Sequence, residues 1–368
     1  MTPLSIALLT YSTKPRGAVV HTLALAEALA AAGQDVTVWS LGRGGDTGFF
    51  RPVDPRVRVR VVPFPDVAGE GTGPRILRSI AVLRAAFEAS GYDIVHAQDC
   101  ISANAVDDCV RTVHHVDDFT TPELAACHER AIVEPSACVC VSEAVAAELA
   151  DRWGLTATVI PSGVAAVRFA AAAGPAFQEL RRGWRERFGP YVLAVGGIEP
   201  RKGSLDLLEA HARMRGTLPE VRLVIAGGDT LFDYRDYRAR WERRAAELGT
   251  EPVVLGAVAH GALPTLVAAA SAFAFPSTKE GFGLAAMEAL AAGVPVVTRD
   301  LPVLREVFGA VARFADDPDG LASELVAALS HEDPAGREAG RRLAARHTWS
   351  AAAQRHLTLY RSLRRRAA

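Results

Sequence analysis

The sequence has no strong charge of either sign and no long apolar run. Its 368 residues carry a formal net charge of −1, whereas a general nucleic-acid-binding protein needs a strongly basic domain, so that class is excluded. A membrane-spanning helix needs about 18 consecutive apolar residues. No stretch of the sequence is that long, so no membrane-spanning helix is predicted. The apolar run at 6–9 is too short for a secretory signal and indicates a first strand. These absences predict a cytoplasmic protein.

Metal-binding cysteine spacings are also absent. None of the five cysteines forms a C-x-x-C pair, and two of them fall in an apparent buried strand. Free cysteine commonly packs as a small apolar residue. The consecutive residues Asp117 and Asp118 lack the spacing and the third ligand of a metal site. We therefore predict buried thiols and no metal. The residues that raise the question are Cys100, Cys109, Cys127, Cys138 and Cys140, with His96, His114, His115 and His128 nearby.

Lysine is nearly missing. Of 41 basic residues only three are lysine, and the rest are arginine. The bias by itself carries no chemistry, but Lys14, Lys202 and Lys279 all fall in predicted loops. Lysine offers a compact, mobile ammonium that arginine does not. We expect the three to face one ligand cleft, with chance placement as the alternative.

The order of predicted elements indicates an α/β protein with two domains. The chain exceeds what one hydrophobic core usually supports, and strands alternate with helices in two series, which is typical of doubly wound parallel sheets. We predict a Rossmann-like domain over 1–168 that includes a C-terminal crossover helix at 350–368, and a second Rossmann-like domain over 185–349, facing a central cleft. Residues 170–175 between them indicate a linker. Predicted strands are 5–10, 35–40, 57–62, 92–97, 109–114, 137–141 and 157–161, then 191–195, 221–226, 253–255, 272–276 and 294–298.

A strand-to-helix turn in the second domain carries the strongest functional pattern. A short apolar strand precedes Gly281, Phe282 and Gly283, and an Ala/Leu-rich helix pattern begins at Leu284. The free backbone N–H groups and positive end of such a helix can hold a phosphate. Glycines at this turn allow a ligand to approach the backbone closely. The turn therefore predicts an anion site.

Two carboxylates flank this turn. Glu280 precedes it, and Glu288 lies about two turns into the helix, where it can accept hydrogen bonds from hydroxyls. A phosphate site beside hydroxyl acceptors suggests a nucleotide sugar.

A second pattern follows the first strand of the second domain. Gly196 and Gly197 permit a close turn, and Arg201 and Lys202 place two cations beyond it. An arginine fork and a lysine point charge suit a diphosphate leaving group. A solvated charged loop is the alternative.

The first domain supplies polar residues after two of its strands. His114 and His115 follow one strand, and a histidine there can donate to a sugar hydroxyl or simply bond within its loop. Lys14 and Gly17 lie before the first helix, whose amides could meet a phosphate.

A basic amphipathic helix pattern contains Arg75 and Arg84. Such a helix can rest on an anionic membrane surface, or it can pack on its own sheet. Peripheral membrane contact is therefore one of two interpretations.

The assembled motifs resemble the retaining glycosyltransferases of family 4, which have the GT-B fold. The resemblance covers nearly the whole chain, and its most specific part is the E-x7-E element from Glu280 to Glu288. Supporting pieces are the motifs at 141–143, 160–164 and 255–258 and the closing helix at 349–360.

The resemblance implies a metal-independent transfer of sugar from a nucleoside diphosphate sugar, a co-substrate, to a hydroxyl acceptor. Glu288 would accept from the ribose hydroxyls, Lys202 would meet the diphosphate, and the backbone near Val258 would read the base. Glu280 would face the transferred sugar, and His114 would lie near a sugar hydroxyl. Catalytic roles are thereby implied for His114, Glu280 and Lys202, donor contacts for Gly17, Gly197, Arg201, Lys202, Val258, Gly281, Phe282, Gly283, Leu284 and Glu288, and acceptor-side contacts for Lys14 and His115.

Two positions depart from the family pattern. Gly197 stands where the family has an arginine, so Arg201 would have to supply that charge. Ala18 follows Gly17 where a second glycine is usual. A sugar-nucleotide epimerase and a non-catalytic nucleotide-sugar-binding protein remain alternatives, and the donor base, the donor sugar, the acceptor and the role of segment 229–238 are not specified.

Overall fold

The computed structural model describes residues 2–119, 121–228 and 234–367. The chain divides into two compact units: unit 1 is Met1–Gly163 with Thr348–Ala368, and unit 2 is Val164–His347. Each unit holds one parallel sheet with helices between its strands. The predicted α/β class with two doubly wound sheets is confirmed. The division falls after Gly163 and not after residue 168.

Unit 1 contains a seven-stranded sheet in the order β3-β2-β1-β4-β5-β6-β7. Both faces of the interior strand Ser5–Leu9 are buried, since Ile6 and Leu8 pack in one apolar cluster and Ala7 and Leu9 in another. A continuous apolar run is what a parallel strand covered on both faces requires. The strands are β1 (Ser5–Leu9), β2 (Asp35–Arg43), β3 (Val57–Phe64), β4 (Ile94–Ala97), β5 (Val110–Val113), β6 (Ala137–Cys140) and β7 (Thr158–Val159), and the helices are α1 (Gly17–Ala31), α2 (Thr72–Ala86), α3 (Cys100–Asn104), α4 (Pro122–Val133) and α5 (Glu143–Trp153).

Unit 2 contains a six-stranded sheet in the order β10-β9-β8-β11-β12-β13. Its helices are α6 (Ala166–Ala173), α7 (Gln178–Phe188), α8 (Ser204–Met214), α9 (Arg235–Glu247), α10 (Leu263–Ala269), α11 (Leu284–Ala291), α12 (Pro302–Phe308), α13 (Pro318–Ser330) and α14 (Pro334–Arg346). Its strands are β8 (Tyr191–Val195), β9 (Arg222–Ala226), β10 (Val253–Gly256), β11 (Ala272–Phe275), β12 (Val296–Arg299) and β13 (Arg313–Ala315).

The linker predicted at 170–175 was wrong. Those residues belong to α6, whose Phe169 and Ala172 are buried, and to a short 3-10 turn that leads into α7. Alanine is the strongest helix former, so a run of alanines that lacks polar periodicity still folds as helix once it has a surface to pack on. Strand β13 was missed because its three residues are too short for an alternating pattern.

Helix α15 (Trp349–Ala367) packs on unit 1. Its Ala353, Leu357 and Tyr360 are buried in the cluster formed by β1 and α1. The Tyr360 hydroxyl lies 2.6 Å from Nδ1 of His96, and Nε2 of His96 lies 2.7 Å from Oγ1 of Thr112. A buried polar chain thus joins the last helix to β4 and β5.

The cysteines are packed as the sequence predicts. All five are free thiols, and four of them are buried; Cys138 and Cys140 belong to an apolar cluster with Val113 and Leu149. Among the described residues, no group of three His, Cys, Asp or Glu side chains is arranged to hold a metal ion.

The arginines of α2 have partners within unit 1. Arg78 pairs with Glu70 at 2.6 Å and lies over the ring of Phe64 at 3.9 Å, and Arg84 pairs with Asp107 at 3.1 Å. Of the helices that the structure describes, none combines the length and the apolar character needed to cross a membrane.

We expect Tyr360→Phe to lower the free energy of unfolding of unit 1 by about 1–3 kcal/mol, because it leaves a nitrogen of buried His96 without its partner. Denaturant unfolding followed by circular dichroism measures this loss. Thr358→Ala, which removes an exposed hydroxyl bonded only within the same helix, is the control. An equal effect of both variants would contradict the role of the buried chain.

Candidate functional site

The candidate site of unit 2 lies where the strand order of its sheet reverses. Strand β8 has β9 on one side and β11 on the other, so the chain leaving β8 turns away from the chain leaving β11. Parallel sheets bind ligands at the carboxyl ends of the strands that flank such a point. The two loops that begin there are 196–203 and 276–283, the same two that the sequence singles out.

Glycine shapes the turn into α11. Gly283 precedes the helix with φ of 88°, a left-handed conformation that favours glycine. A Cβ at this position would also come within 2.8 Å of the ring of Phe308. The turn therefore packs its backbone tightly against α12. The amides of the first turn of α11 have no carbonyl partners in the helix.

The two loops also meet backbone to backbone. Gly203 has φ of 60°, and a Cβ there would lie 2.2 Å from the carbonyl oxygen of Pro276. Two residues from this contact along each loop, the amide of Thr278 donates to the carbonyl oxygen of Arg201 at 2.8 Å. This contact fixes how far apart the side chains of the two loops can lie.

Three charged side chains converge across this contact. Oε1 of Glu280 lies 2.5 Å from Nζ of Lys202 and 3.2 Å from Nη1 of Arg201. Nζ of Lys202 also lies 5.2 Å from the centre of the Phe275 ring, within the range of a cation–π contact. The structure thus brings Glu280 of one predicted motif together with Arg201 and Lys202 of the other.

Glu288 is half-buried on α11. Burial raises the pKa of its carboxyl from 4.5 to about 7, and the charge of Arg168 opposes that rise. No donor among the described residues makes a hydrogen bond to it. A partly buried carboxylate that has no protein donor can accept hydrogen bonds from a ligand.

Apart from Gly17, which lies in unit 1, the remaining predicted donor residues lie in the same unit. Gly281 and Phe282 are buried in the turn, and the Phe282 ring lies 5.4 Å from that of His347. Val258 follows β10, at the carboxyl edge of the sheet, and Gly197 follows β8. At that edge the backbones just after β8 and β9 lie very close together, since a Cβ on Gly227 would lie 2.0 Å from the carbonyl oxygen of Gly196.

Unit 1 holds His114 at the end of β5. Its ring lies 4.8 Å from that of His21 in an edge-to-face arrangement, and its Nε2 is buried with no hydrogen-bond partner among the described residues. Burial lowers the pKa of His114 well below its usual value, so the imidazole is neutral at neutral pH. His115 instead pairs with Asp117 at 3.2 Å.

The loop before α1 is tied to the loop after β2. Nζ of Lys14 lies 2.9 Å from the carboxylate of Asp46, which also accepts from the hydroxyl of Thr13. Gly17 begins α1, and a Cβ there would meet nothing within 4 Å. Of the segment 229–238, residues 229–233 lie outside the described residues.

Sequence reasoning passed over three residues of these sites. Ser277 is fully buried, its hydroxyl has no partner within the described part of the chain, and it lines a recess of about 20 Å³ beside Lys202. Glu199 lies 3.1 Å from Arg201. His21 accompanies His114, and its Nδ1 lies 3.1 Å from Oγ of Ser162. A serine directly after a strand-ending proline was the one available signal.

Two family profiles match the chain. "Glycosyltransferase Family 4" matches residues 15–168, and "Glycosyl transferases group 1" matches residues 178–335. A D-inositol 3-phosphate glycosyltransferase of Salinispora arenicola is 30% identical over 320 residues, covering 76% of this chain and 71% of that protein. A phosphatidyl-myo-inositol mannosyltransferase of Mycobacterium tuberculosis is 29% identical over 381 residues, covering 94% of this chain and 93% of that protein.

Solved structures share the fold. The Anabaena protein HepE in complex with UDP-glucose superposes with a TM-score of 0.72 at 19% identity, covering 98% of this chain and 100% of that chain.

The raised pKa of Glu288 predicts a pH dependence of stability. Between pH 4.5 and about 7 the folded chain keeps a proton on this carboxyl that the unfolded chain has released, so the free energy of unfolding falls as the pH rises through that interval. Glu288→Gln should remove this part of the slope, whereas Glu324→Gln, at a carboxylate paired with Arg313, should keep it. Denaturant unfolding on both sides of the interval measures the slopes, and identical slopes in both variants would contradict the prediction.

Proposed function

Because the chain belongs to the glycosyltransferases of group 1 and family 4, we propose that it moves a sugar from a nucleoside diphosphate sugar to a hydroxyl acceptor. The protein is a transferase of the GT-B type. The transfer retains the anomeric configuration and needs no metal ion at the diphosphate. The observation that carries the proposal is the meeting of Lys202 and Glu280 beside the first turn of α11, at the point where the sheet order reverses.

The diphosphate would be held by one cation and one helix end. Lys202 supplies a mobile ammonium, and the amides of 282–284 supply donors that are fixed by the fold before the ligand arrives. Negative charge grows on the diphosphate as the sugar leaves, so preorganised donors stabilise the transition state more than the bound donor. Both groups contribute without a metal.

The ribose would be held by Glu288. Hydroxyl donors bind the charged form of a carboxylate more strongly than its neutral form, so a bound ribose lowers the pKa that burial has raised. The nucleobase would lie against the backbone near Val258, at the same edge of the sheet. Glu280 would face the transferred sugar.

His114 would contact a hydroxyl of that sugar. Its neutral ring can donate from one nitrogen and accept at the other, and its pKa, lowered by burial, keeps it neutral across the physiological range. Lys14 and His115 are proposed for the acceptor side of unit 1, where both already have carboxylate partners.

The choice of substrates to test follows from the relatives. HepE is described in complex with UDP-glucose, and two relatives are named for inositol-containing acceptors. UDP-, GDP- and ADP-sugars as donors, and inositol and its phosphates as first acceptors, therefore form the initial panel. Peripheral membrane contact through α2 would use the exposed Leu77, since Arg78 and Arg84 pair within unit 1.

Substitution of the two proposed donor residues should separate binding from turnover. Lys202→Ala should lower kcat by roughly a hundredfold, because the cation acts mainly on the developing charge. Glu288→Ala should raise the donor KM by roughly tenfold, since two hydroxyl donors lose a charged acceptor. Steady-state kinetics with the donor identified in the panel measures both, and Glu324→Ala is the control. Unchanged kinetics in both variants would refute the assignment.

The rival functions give different products. A sugar-nucleotide epimerase would convert the donor alone into an epimer or a glycal, whereas a transferase gives transfer or slow hydrolysis. A non-catalytic binding protein would raise its melting temperature with donor and form no product with any acceptor.

A further inference from the structure

Arg201 is held more firmly than a ligand-binding cation needs to be. Its Nη2 lies 3.1 Å from Oε1 of Glu199, and its Nη1 lies 3.3 Å from the carbonyl oxygen of Lys279 and 3.2 Å from Oε1 of Glu280. Its own carbonyl oxygen accepts from the amide of Thr278. Each of these contacts lies within the two loops of the site, so the guanidinium ties one loop to the other.

Lys202 is held differently. Its ammonium contacts one carboxylate, that of Glu280, and the face of Phe275. A phosphate oxygen could replace that carboxylate by rotation of a flexible stem. Arg201 would have to give up three acceptors to do the same, because a planar fork satisfies its partners in one orientation only.

Glu280 therefore faces two cations that would respond differently to a diphosphate. Its carboxylate is only 11% exposed, and a buried carboxylate that loses its cations becomes costly to keep ionised. If Lys202 turns to the diphosphate, Arg201 still neutralises the Glu280 carboxylate. It also keeps its hydrogen bond to the carbonyl oxygen of Lys279. Glu199 holds Arg201 from the other side and prevents it from following Lys202.

We propose that Arg201 is a positioning residue that keeps Glu280 ionised and in place at the donor site while Lys202 binds the diphosphate. The assignment rests on the proposed function. It differs from the expectation, drawn from the family pattern, that Arg201 contacts the diphosphate in place of the arginine missing at Gly197. The assignment depends on the ion pair between Glu199 and Arg201.

The test separates diphosphate affinity from turnover. Arg201→Gln should lower kcat by roughly tenfold or more while changing the Kd for the free nucleoside diphosphate by less than about threefold, because no ligand contact is lost. Lys202→Gln is the matched comparison and should weaken that Kd by roughly tenfold. Glu199→Gln should lower kcat in the same direction, and the double variant with Arg201→Gln should be no worse than Arg201→Gln alone, since both act through one contact.

Calorimetric titration with UDP, GDP and ADP measures the affinities, and thermal melting controls for folding. Arg201→Lys, which restores a cation beside Glu280 without the fork, should recover part of kcat. A loss of diphosphate affinity in Arg201→Gln as large as in Lys202→Gln would overturn the assignment and leave the proposed function standing. A fall in melting temperature that accompanies the fall in kcat, with no recovery in Arg201→Lys, would also overturn it. If the unsubstituted chain binds none of the three diphosphates, the proposed function itself fails.

Discussion

The candidate site depends on the close contact between the loop after β8 and the loop after β11. Glycine at position 203 lets the first loop lie against the carbonyl oxygen of Pro276, and one backbone hydrogen bond, from Thr278 to Arg201, fixes their register. Only at this separation can one oxygen of Glu280 reach both Arg201 and Lys202. The charges therefore follow from the backbone, and the backbone contact follows from which strands are neighbours.

The same contact explains why Glu280 and Glu288 differ although they flank the same strand-to-helix turn. Glu280 precedes the helix and shares two cations, so its charge is compensated. Glu288 lies inside the helix with no described donor, and its pKa is raised to about 7 by burial. A site that holds one compensated and one uncompensated carboxylate can keep the first fixed and offer the second to hydroxyl groups.

The sequence predicted the strands, helix and turn of the site better than the contacts between its side chains. Strand and helix periodicity located β8, β11 and the start of α11, and the glycines at 281 and 283 marked the turn. The Lys202–Glu280 contact joins residues 78 positions apart, and it follows only from the strand order, which periodicity does not encode. His21 was passed over because a histidine in an apolar helix looks like core, and the alanines at 170–173 looked like a linker until a packing surface was known.

Because lysine is scarce, chemical modification of amines can report on the state of individual lysine side chains in this protein. A reagent that acylates amines meets only three lysine side chains in the chain. Lys14 is 52% exposed and Lys202 is 21% exposed, and each is paired with a carboxylate. Arginine does not react with such a reagent, so the arginine side chains are not modified. Whether a ligand covers the Lys202 ammonium can therefore be followed by the mass of the one peptide that contains it.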